Sequence, residues 1–362
     1  MTTQARDSHP YHMHDAMLAQ PEAFVRTVEH NEAAFEEFAS RIASCERVFL
    51  AGIGTSHHAA LVGEHLMRAY GGGPDVRATH SFDLALYGPE LRAGDCLVAV
   101  SHRGAKRYTA LALERAREIG CPTALITGEG GLGEGRADAV FRTVAQEESS
   151  AHTVSYTSAV AVLALLAGRL GYQRTGVTTL PDDLLRERVP GALRTALGTE
   201  RDVAVLASQH VGRRRIWLLG GGPSAVTATE TALKIKETSY LQAEGMPTET
   251  MLHGPFQCVE AEDLFVLIAP SGAARGRTLE VAELVGEVGA SCVVVGDDTT
   301  EAPRVAADML TVPEVPEPFS ALSCLVPLQL FSYHLALERG TNPDSFRVDD
   351  PRFARADVSA RL

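Results

Sequence analysis

Three groups of residues in this chain have the types and spacing to do chemistry. Glu230, Lys234 and Glu237 stand at i, i+4 and i+7, so they share one face of a helix. That pattern has two readings: a salt-bridged stripe facing solvent, or a charge cluster serving a site. Glu244 follows, and then Met251-Leu252-His253-Gly254-Pro255. A carboxylate and an imidazole converging on one pocket make a base and a proton shuttle. The second group is Ser101-His102-Arg103-Gly104-Ala105-Lys106-Arg107-Tyr108-Thr109, with three cations in five residues. Arginine chelates a phosphate with two bonds and lysine acts as a point charge. A solvated helix start is the plainer reading, but cations there oppose the helix dipole. The third group is Gly52-Ile53-Gly54-Thr55-Ser56. Glycine lets a backbone approach a ligand, a helix N-terminus offers free N–H groups, and Thr55 and Ser56 add hydroxyls. The alternative is a turn with an N-cap. The hydroxyl-rich segment 147–155, with Thr153 near its end, either completes an anion site or connects two elements.

The elements that must position these loops occur twice. Gly54 and Gly222, Ser56 and Ser224, Asp95 and Asp263, and Gly104 and Gly272 each lie 168 residues apart. RVFLAGIGTS mirrors RIWLLGGGPS, and DCLVAVSHRG mirrors DLFVLIAPSG. A period this long means a duplicated domain, not a solenoid. The apolar runs Val48–Leu50, Leu97–Val100 and Thr123–Ile126, and then Ile216–Leu219, Leu264–Ile268 and Cys292–Val295, predict buried strands. Between the first two, Ala59, Val62, Leu66 and Ala69 give a helix one apolar face. Strands alternating with helices imply parallel sheets covered on both faces, with ligands at the strands' carboxyl ends. Phe24, Val28, Phe35, Phe38 and Ile42 form the packing stripe of a leading helix. The expected order is a helical lead-in at 1–45, one domain at 46–180, a linker helix and second domain at 181–339, and an irregular tail at 340–362.

Composition removes several classes of function. The 362 residues are 45% hydrophobic and 22% charged, which suits a globular protein of about two domains. The net charge of −13 argues against nonspecific nucleic-acid or anionic-membrane binding. The longest apolar run, Ala159–Ala167, is short for a membrane span, and the first residues lack the apolar stretch of a signal peptide. The six scattered cysteines (Cys45, Cys96, Cys121, Cys258, Cys292, Cys324) read as reduced core thiols, so the expected location is the cytoplasm. His57 stands where the third glycine of a GxGxxG dinucleotide loop would be, so no nicotinamide cofactor is expected. His9, His12 and His14 read as an exposed, mobile arm, not as metal ligands.

GIGTSHHA, SHRGAKRYT, TETALKIKETSYLQAEGMPTETMLHGP and the terminal GTNPD…DDPRFA resemble the isomerase half of glucosamine-6-phosphate synthase, from about His12 onward. The resemblance implies an α/β fold of two tandem sugar isomerase (SIS) domains, each a doubly wound parallel sheet flanked by helices. It implies a phosphorylated sugar or aminosugar as ligand, neither metal nor cofactor, and a homodimer. Glu237 matches the base that moves a proton between C1 and C2, for which a raised pKa in apolar surroundings is suited. His253 matches the ring-opening histidine, contributed across the subunit interface. Lys234 and Glu230 match further active-site positions, and Lys234 is placed to support an enediol. Ser56, Ser101, His102 and Thr153 match the phosphate loops, on which Gly54, Thr55 and Gly104 are further expected ligand positions, and Arg103 and Lys106 stand where the family has hydroxyl or acidic residues.

This chain departs from the family pattern in four ways. It opens Met1-Thr2, with neither a cysteine nucleophile nor a glutaminase segment, so glutamine is not expected as nitrogen donor within it. SQSGET has become SHRGAK. Thr250 replaces a carboxylate three residues before the histidine. The near-terminal lysine that engages the open-chain carbonyl has no clear counterpart; Arg355 and Ala356 are nearest, and an arginine forms no Schiff base. Isomerisation or deamination is therefore expected ahead of amino transfer, and a noncatalytic sugar-phosphate sensor is the alternative.

Overall fold

Each of the six apolar runs read above as strands forms a parallel strand, whereas Ala159–Ala167 lies within a helix. The computed structural model describes residues 6–298, 306 and 308–356. In the first repeat β1 (Arg47–Gly52), β2 (Asp75–His80), β3 (Asp95–Val100), β4 (Thr123–Glu129) and β5 (Ala139–Ala145) pair in parallel in the order β2-β1-β3-β4-β5. In the second, β6 (Ile216–Gly220), β7 (Ala243–Pro247), β8 (Leu264–Ile268), β9 (Ser291–Gly296) and β10 (Asp308–Thr311) repeat that order. The edge strands carry no clear sequence signal, because an edge needs little apolar surface; β2 reads DVRATH and buries only Val76 fully. In each sheet the chain moves first to one side of its opening strand and then to the other. The loops after β1 and β3 therefore diverge and leave a crevice at the carboxyl ends. The same holds for β6 and β8.

The duplication extends to backbone angles. Gly54 (φ 59°, ψ −132°) and Gly222 (φ 54°, ψ −126°) turn the chain identically into the helices that follow. Asp95 and Asp263 also act alike. Asp95 accepts from the Arg47 guanidinium at 2.7 and 2.6 Å, and Asp263 accepts from Trp217 Nε1 at 3.0 Å. Each buried carboxylate ties the third strand of its repeat to the first.

The chain divides into two compact units, 19–147 with 152–190 and 349 onward, and up to residue 18 with 148–151 and 191–348. In the first unit α2 (Gln20–Ile42) buries its predicted stripe, and Phe35 stacks on Phe141 of β5 at 3.9 Å. α3 (Thr55–Tyr70) buries Ala59, Val62 and Leu66, whereas Ala69, in its last turn, is exposed. α4 (Ser81–Leu86) and α5 (Arg107–Ile119) cover the other face of the sheet. α6 (Val154–Thr175) is apolar all round because α2 and α3 both pack on it.

The second unit holds α8 (Glu200–His210), α9 (Pro223–Ser239), α10 (Thr248–Leu252), α11 (Arg275–Val288), α12 (Glu317–Ser323) and α13 (Leu325–Glu338); α7 (Val189–Leu197) leads in, and α14 (Pro351–Ala356) closes the described chain. Val154–Thr175 and Glu317–Glu338 are long and apolar enough for a membrane span, but 89% of each apolar window is buried within the fold.

Two expectations are corrected. The histidine arm is ordered and packed in α1 (His12–Leu18) and just before it. Asp344 accepts from the His12 and Met13 N–H groups at 2.8 Å each, His14 pairs with Glu200 at 2.7 Å, and His9 Nδ1 meets the Tyr333 hydroxyl at 2.8 Å. Local polarity suggested solvent, but partners more than 180 residues away hold the arm. Cys258 is exposed and is not a core thiol; the other five cysteines are buried, and all six are free. The tail beyond Ala356 lies outside the described residues.

Candidate functional site

The first-repeat crevice begins where β1 ends. A Cβ on Gly52 would fall 2.3 Å from the Ser56 carbonyl oxygen, so only glycine lets α3 start against the strand. Ser56 and Thr55 from that start, His102 from the loop after β3, Thr127, and His152 and Ser155 before and within α6 line a crevice of about 290 Å3 including its mouth.

The loop after β3 is held rigidly. The His102 carbonyl accepts from Gly128 N (2.9 Å), Gln146 Nε2 (3.0 Å) and Thr127 Oγ1 (3.1 Å). A Cβ on Gly104, at φ +66°, would lie 1.7 Å from the Leu132 carbonyl oxygen. His102 Nε2 accepts from the Glu147 N–H at 3.2 Å, which puts the ring proton on Nδ1. Burial, and the His152 ring 5.1 Å away, push the His102 pKa down to about 4, so its imidazole is neutral near pH 7. Three features of this loop suit an anion. Ser101 is buried, and its hydroxyl finds no partner among the described residues. Arg103 is exposed and Lys106 half-buried, and neither pairs with a carboxylate among the described residues. Burial, then the Arg103 charge, lower the Lys106 pKa.

The start of α6 is different. It begins at Val154, inside the segment whose polarity suggests a connecting loop. The Glu147 carboxylate accepts from Thr153 N (2.8 Å), Thr153 Oγ1 (3.2 Å) and Val154 N (3.0 Å), and from the N–H and hydroxyl of Ser155. The anion position at this helix terminus is filled by the chain itself. Thr153, grouped by sequence with the phosphate ligands, commits its N–H and hydroxyl to Glu147. The signal available beforehand was a carboxylate six residues ahead of an N-cap threonine.

The α9 cluster is inside the fold. Glu230 and Lys234 are 0% and 1% exposed, and Lys234 Nζ lies 3.4 Å from Glu230 Oε1 and 2.6 Å from Glu237 Oε2. Glu237, 21% exposed, is the member that reaches solvent. The solvent-stripe reading is thereby excluded. The segment after α13 folds over the end of α9: Thr341 Oγ1 donates to the Thr238 carbonyl at 2.7 Å, and Arg347 lies over the Tyr240 ring at 4.7 Å.

His253 caps α10, is 77% exposed, and pairs with Glu249 at 3.3 Å. Glu244 is exposed on β7, and Arg355 is exposed on α14. The structure thus gathers Glu230, Lys234 and Glu237 in one cluster and Thr55, Ser56 and His102 in one crevice. Ser101, Arg103, Gly104 and Lys106 lie on the crevice loop beside His102 without lining it, and Gly54 precedes Thr55 at the mouth. His152 and Ser155 of the hydroxyl-rich segment 147–155 also line the crevice, as does Thr127, which no sequence signal singles out.

Residues 41–169 and 211–339 each match the SIS domain family. A glutamine–fructose-6-phosphate aminotransferase (isomerizing) of Pyrococcus horikoshii is 31% identical over 330 residues, 91% of this chain and 55% of that protein. The enzyme of the same name from Methanothermobacter thermautotrophicus is 33% identical over 307 residues, 84% and 50% of the two chains. The chain spans about half the length of these relatives. Among solved structures, the C-terminal domain of glucosamine-fructose-6-phosphate aminotransferase from Francisella tularensis superposes with a TM-score of 0.84 at 22% identity, covering 94% of this chain and 100% of that one. Tagatose-6-phosphate ketose/aldose isomerase from Escherichia coli gives 0.80 at 22% identity, covering 95% and 97%. A glucosamine-6-phosphate deaminase from Thermotoga maritima gives 0.67 at 20% identity, covering 90% and 97%.

Proposed function

Since the chain belongs to the SIS family, as a tandem pair of its domains, we propose that it is a phosphosugar aldose–ketose isomerase or aminosugar-phosphate deaminase. Its substrate resembles glucosamine 6-phosphate or fructose 6-phosphate, and the reaction passes through an enediol or enediolamine. The observation that carries this reading is the buried Glu230–Lys234–Glu237 cluster. Two carboxylates and one ammonium inside a fold cost more than an apolar trio of similar volume. Such a cluster, with one member reaching solvent, is a physical mark of a site.

Glu237 is the base that carries a proton between C1 and C2. Lys234, 2.6 Å away, fixes its orientation and offsets the negative charge that develops on the enediol. Glu230 holds the ammonium from the other side. Arg103, Ser56 and Ser101 take the ester phosphate, which the Arg103 guanidinium and the Ser101 hydroxyl, neither with a side-chain partner among the described residues, favour. His253 opens the ring from the partner subunit of a homodimer; its 77% exposure suits that role.

Incubation with glucosamine 6-phosphate or fructose 6-phosphate, with and without ammonia, tests the reading. At least one is expected to turn over, and Glu237→Gln to lose about 10²- to 10⁴-fold, the range of a general base. Activity unchanged in that variant removes Glu237 from the mechanism. Mixing Glu237→Gln with His253→Ala subunits restores activity only if the two residues act across an interface. The lack of a clear counterpart to the family's near-terminal lysine favours a second reading, a noncatalytic sugar-phosphate sensor, against which Glu237 and His253 both stand. Thermal stabilisation by these esters with no turnover of any would establish it.

A further inference from the structure

Another group of titratable side chains, apart from the crevice and the α9 cluster, lies under the histidine arm. The Glu200 carboxylate on α8 accepts through one oxygen, Oε1, from two imidazoles: His14 Nε2 of α1 at 2.7 Å and His334 Nε2 of α13 at 3.2 Å. A carboxylate only accepts, so both rings carry a proton on Nε2, and any further proton must enter at Nδ1. The His9 ring lies 5.0 Å from that of His14. His9 Nδ1 meets the Tyr333 hydroxyl, which already accepts from the Tyr11 N–H at 3.2 Å. A neutral His9 can take the phenol's proton in that bond; a charged one cannot. The Tyr333 ring is 5.2 Å from His14 and 5.4 Å from His334, so three imidazoles surround one phenol and one carboxylate.

One carboxylate balances one imidazolium. A second would leave net positive charge where the His14 and His334 side chains are only 11% and 14% exposed. The neighbouring charges are already matched. Asp344 accepts from the His12 and Met13 N–H groups, and with Asp7 it bears on Tyr11. His12 faces Glu148 and Arg6 faces Asp15, both at 2.7 Å. Burial holds the His334 pKa below its ordinary 6.5; Glu200 acts against that shift, and His14 and His9 act with it. The docked arm therefore refuses a proton that the free arm accepts, so its hold is complete above about pH 6.5 and weakens as pH falls. α1 is seven residues long, too short to persist as a helix once undocked. The hold also passes to α9. Asp344 belongs to the segment whose Thr341 bonds the Thr238 carbonyl, and whose Ser345 carbonyl and Arg347 N–H meet the Tyr240 hydroxyl at 3.4 and 3.2 Å. Thr238 is next to Glu237.

We infer that the histidine arm is a proton-operated latch: Glu200, shared by neutral His14 and His334, closes it on α8 and α13, and charging more than one of His9, His14 and His334 opens it and loosens segment 341–347 over the end of α9. Opening is local, since β6 and β8 take no part in the cluster. That opening slows turnover rests on the phosphosugar reading above; the latch itself does not.

Hydrogen exchange of the full chain, corrected for the intrinsic effect of pH, reads the latch directly. From about pH 7.5 to about pH 5.5, peptides covering 6–18 and 341–348 are expected to lose protection about tenfold per pH unit for each proton taken up, while β6 and β8 keep theirs. Constant protection of the arm over that range overturns the inference and needs no variant. Loss confined to 6–18 overturns the coupling to α9. Two variants separate a latch from a mere packing contact. His334→Gln keeps a donor for Glu200 and removes a proton site, so opening shifts to lower pH. Glu200→Gln keeps the side chain's size and removes the counter-charge, so opening shifts to higher pH. Each shift is expected to be about half a pH unit or more. An arm loosened in both variants at every pH, or opening at one unchanged pH in both, overturns the inference. Turnover of fructose 6-phosphate is expected to fall with arm protection in the parent and to persist to lower pH in His334→Gln. Exchange that follows this pattern without turnover of any sugar phosphate leaves the latch standing and removes the isomerase.

Discussion

The two repeats share a strand order and a glycine turn, yet their equivalent loops differ in who satisfies the donors. In the second repeat Ser271 donates its N–H and hydroxyl to Asp297, both at 2.9 Å. Ala273 N donates to Glu317 at 3.0 Å, and Arg275 pairs with Asp298 at 3.3 Å. A Cβ on Gly272 would fall 2.3 Å from the Glu317 carboxylate, so even the glycine is committed to that contact. In the first repeat, Arg103 and Lys106 meet no such carboxylate among the described residues, and the Ser101 hydroxyl is unmatched. A duplicated fold supplies two crevices at its switch points; which one can take an anion depends on where the chain has placed its own carboxylates.

Acid is expected to break this symmetry most. Burial pushes the pKa values of His57 and His102 down to about 4, from an ordinary value of 6.5. The residues 168 positions later are Ala225 and Pro270, which do not titrate. Above pH 6.5 both folded and unfolded states hold neutral rings, and the histidines contribute nothing to the pH dependence. Between pH 6.5 and about 4 the unfolded chain binds protons that the folded chain refuses, so stability falls with pH, by of order 3 kcal/mol per ring in full. Burial also lowers the pKa values of His210 and His334 in the second unit, but by less, so the first repeat should loosen before the second. The single tryptophan, Trp217, is buried on β6 and reports only the second repeat. Acidification should raise hydrogen exchange in peptides from β1, β3 and α3 at a pH where Trp217 fluorescence is still native. Simultaneous loss of both signals, unchanged in His102→Gln, would sink the prediction.

A smaller effect tests the ligand side of the contrast. Arg103→Ser gives the first loop the residue that the second has at position 271. Losing a charge-assisted bond costs about 1.5–3 kcal/mol, roughly 10- to 100-fold in affinity for a phosphate ester. Arg275→Ser is expected to leave that affinity alone and only lower the melting temperature. Titration of both variants with inorganic phosphate and glucosamine 6-phosphate by calorimetry checks the pair. Equal affinity in the two would mean that the Arg103 guanidinium does not set anion recognition.

Much of this organisation is legible because parallel strands buried on both faces read as unbroken apolar runs. Val48–Leu50 and Leu264–Ile268 need no structural help, and the 168-residue offset locates both glycine turns. Helical spacing shows which residues share a face but not whether that face is inside. Glu230, Lys234 and Glu237 thus stand equally for a solvent stripe and a site until their burial is known. Other features depend on distant partners. The histidine arm is held by Asp344, Glu200 and Tyr333, and polarity counted over a few residues carries no information about them. Thr153 misleads for a local reason: its hydroxyl has the right chemistry for phosphate, but Glu147 reaches it first.

The last test asks whether carboxylates are what closes the second crevice. Asp297→Asn with Glu317→Gln, made in the Arg103→Ser background so that the first crevice is already weakened, removes two internal anions and keeps the side chains' size. Ser271 and Ala273 then donate to weaker acceptors or to water. Each lost charged bond is worth about 1 kcal/mol where it is partly exposed, so the second unit should melt a few degrees lower by Trp217 fluorescence. If the duplicated backbone is a latent anion site, inorganic phosphate should recover part of that loss in the triple variant and little in Arg103→Ser alone, because only a ligand binding the folded form shifts its stability. Equal response in the two chains would mean that the first crevice owes its capacity to Arg103, Lys106 and Ser101 themselves, and the shared turn geometry would drop out of the explanation.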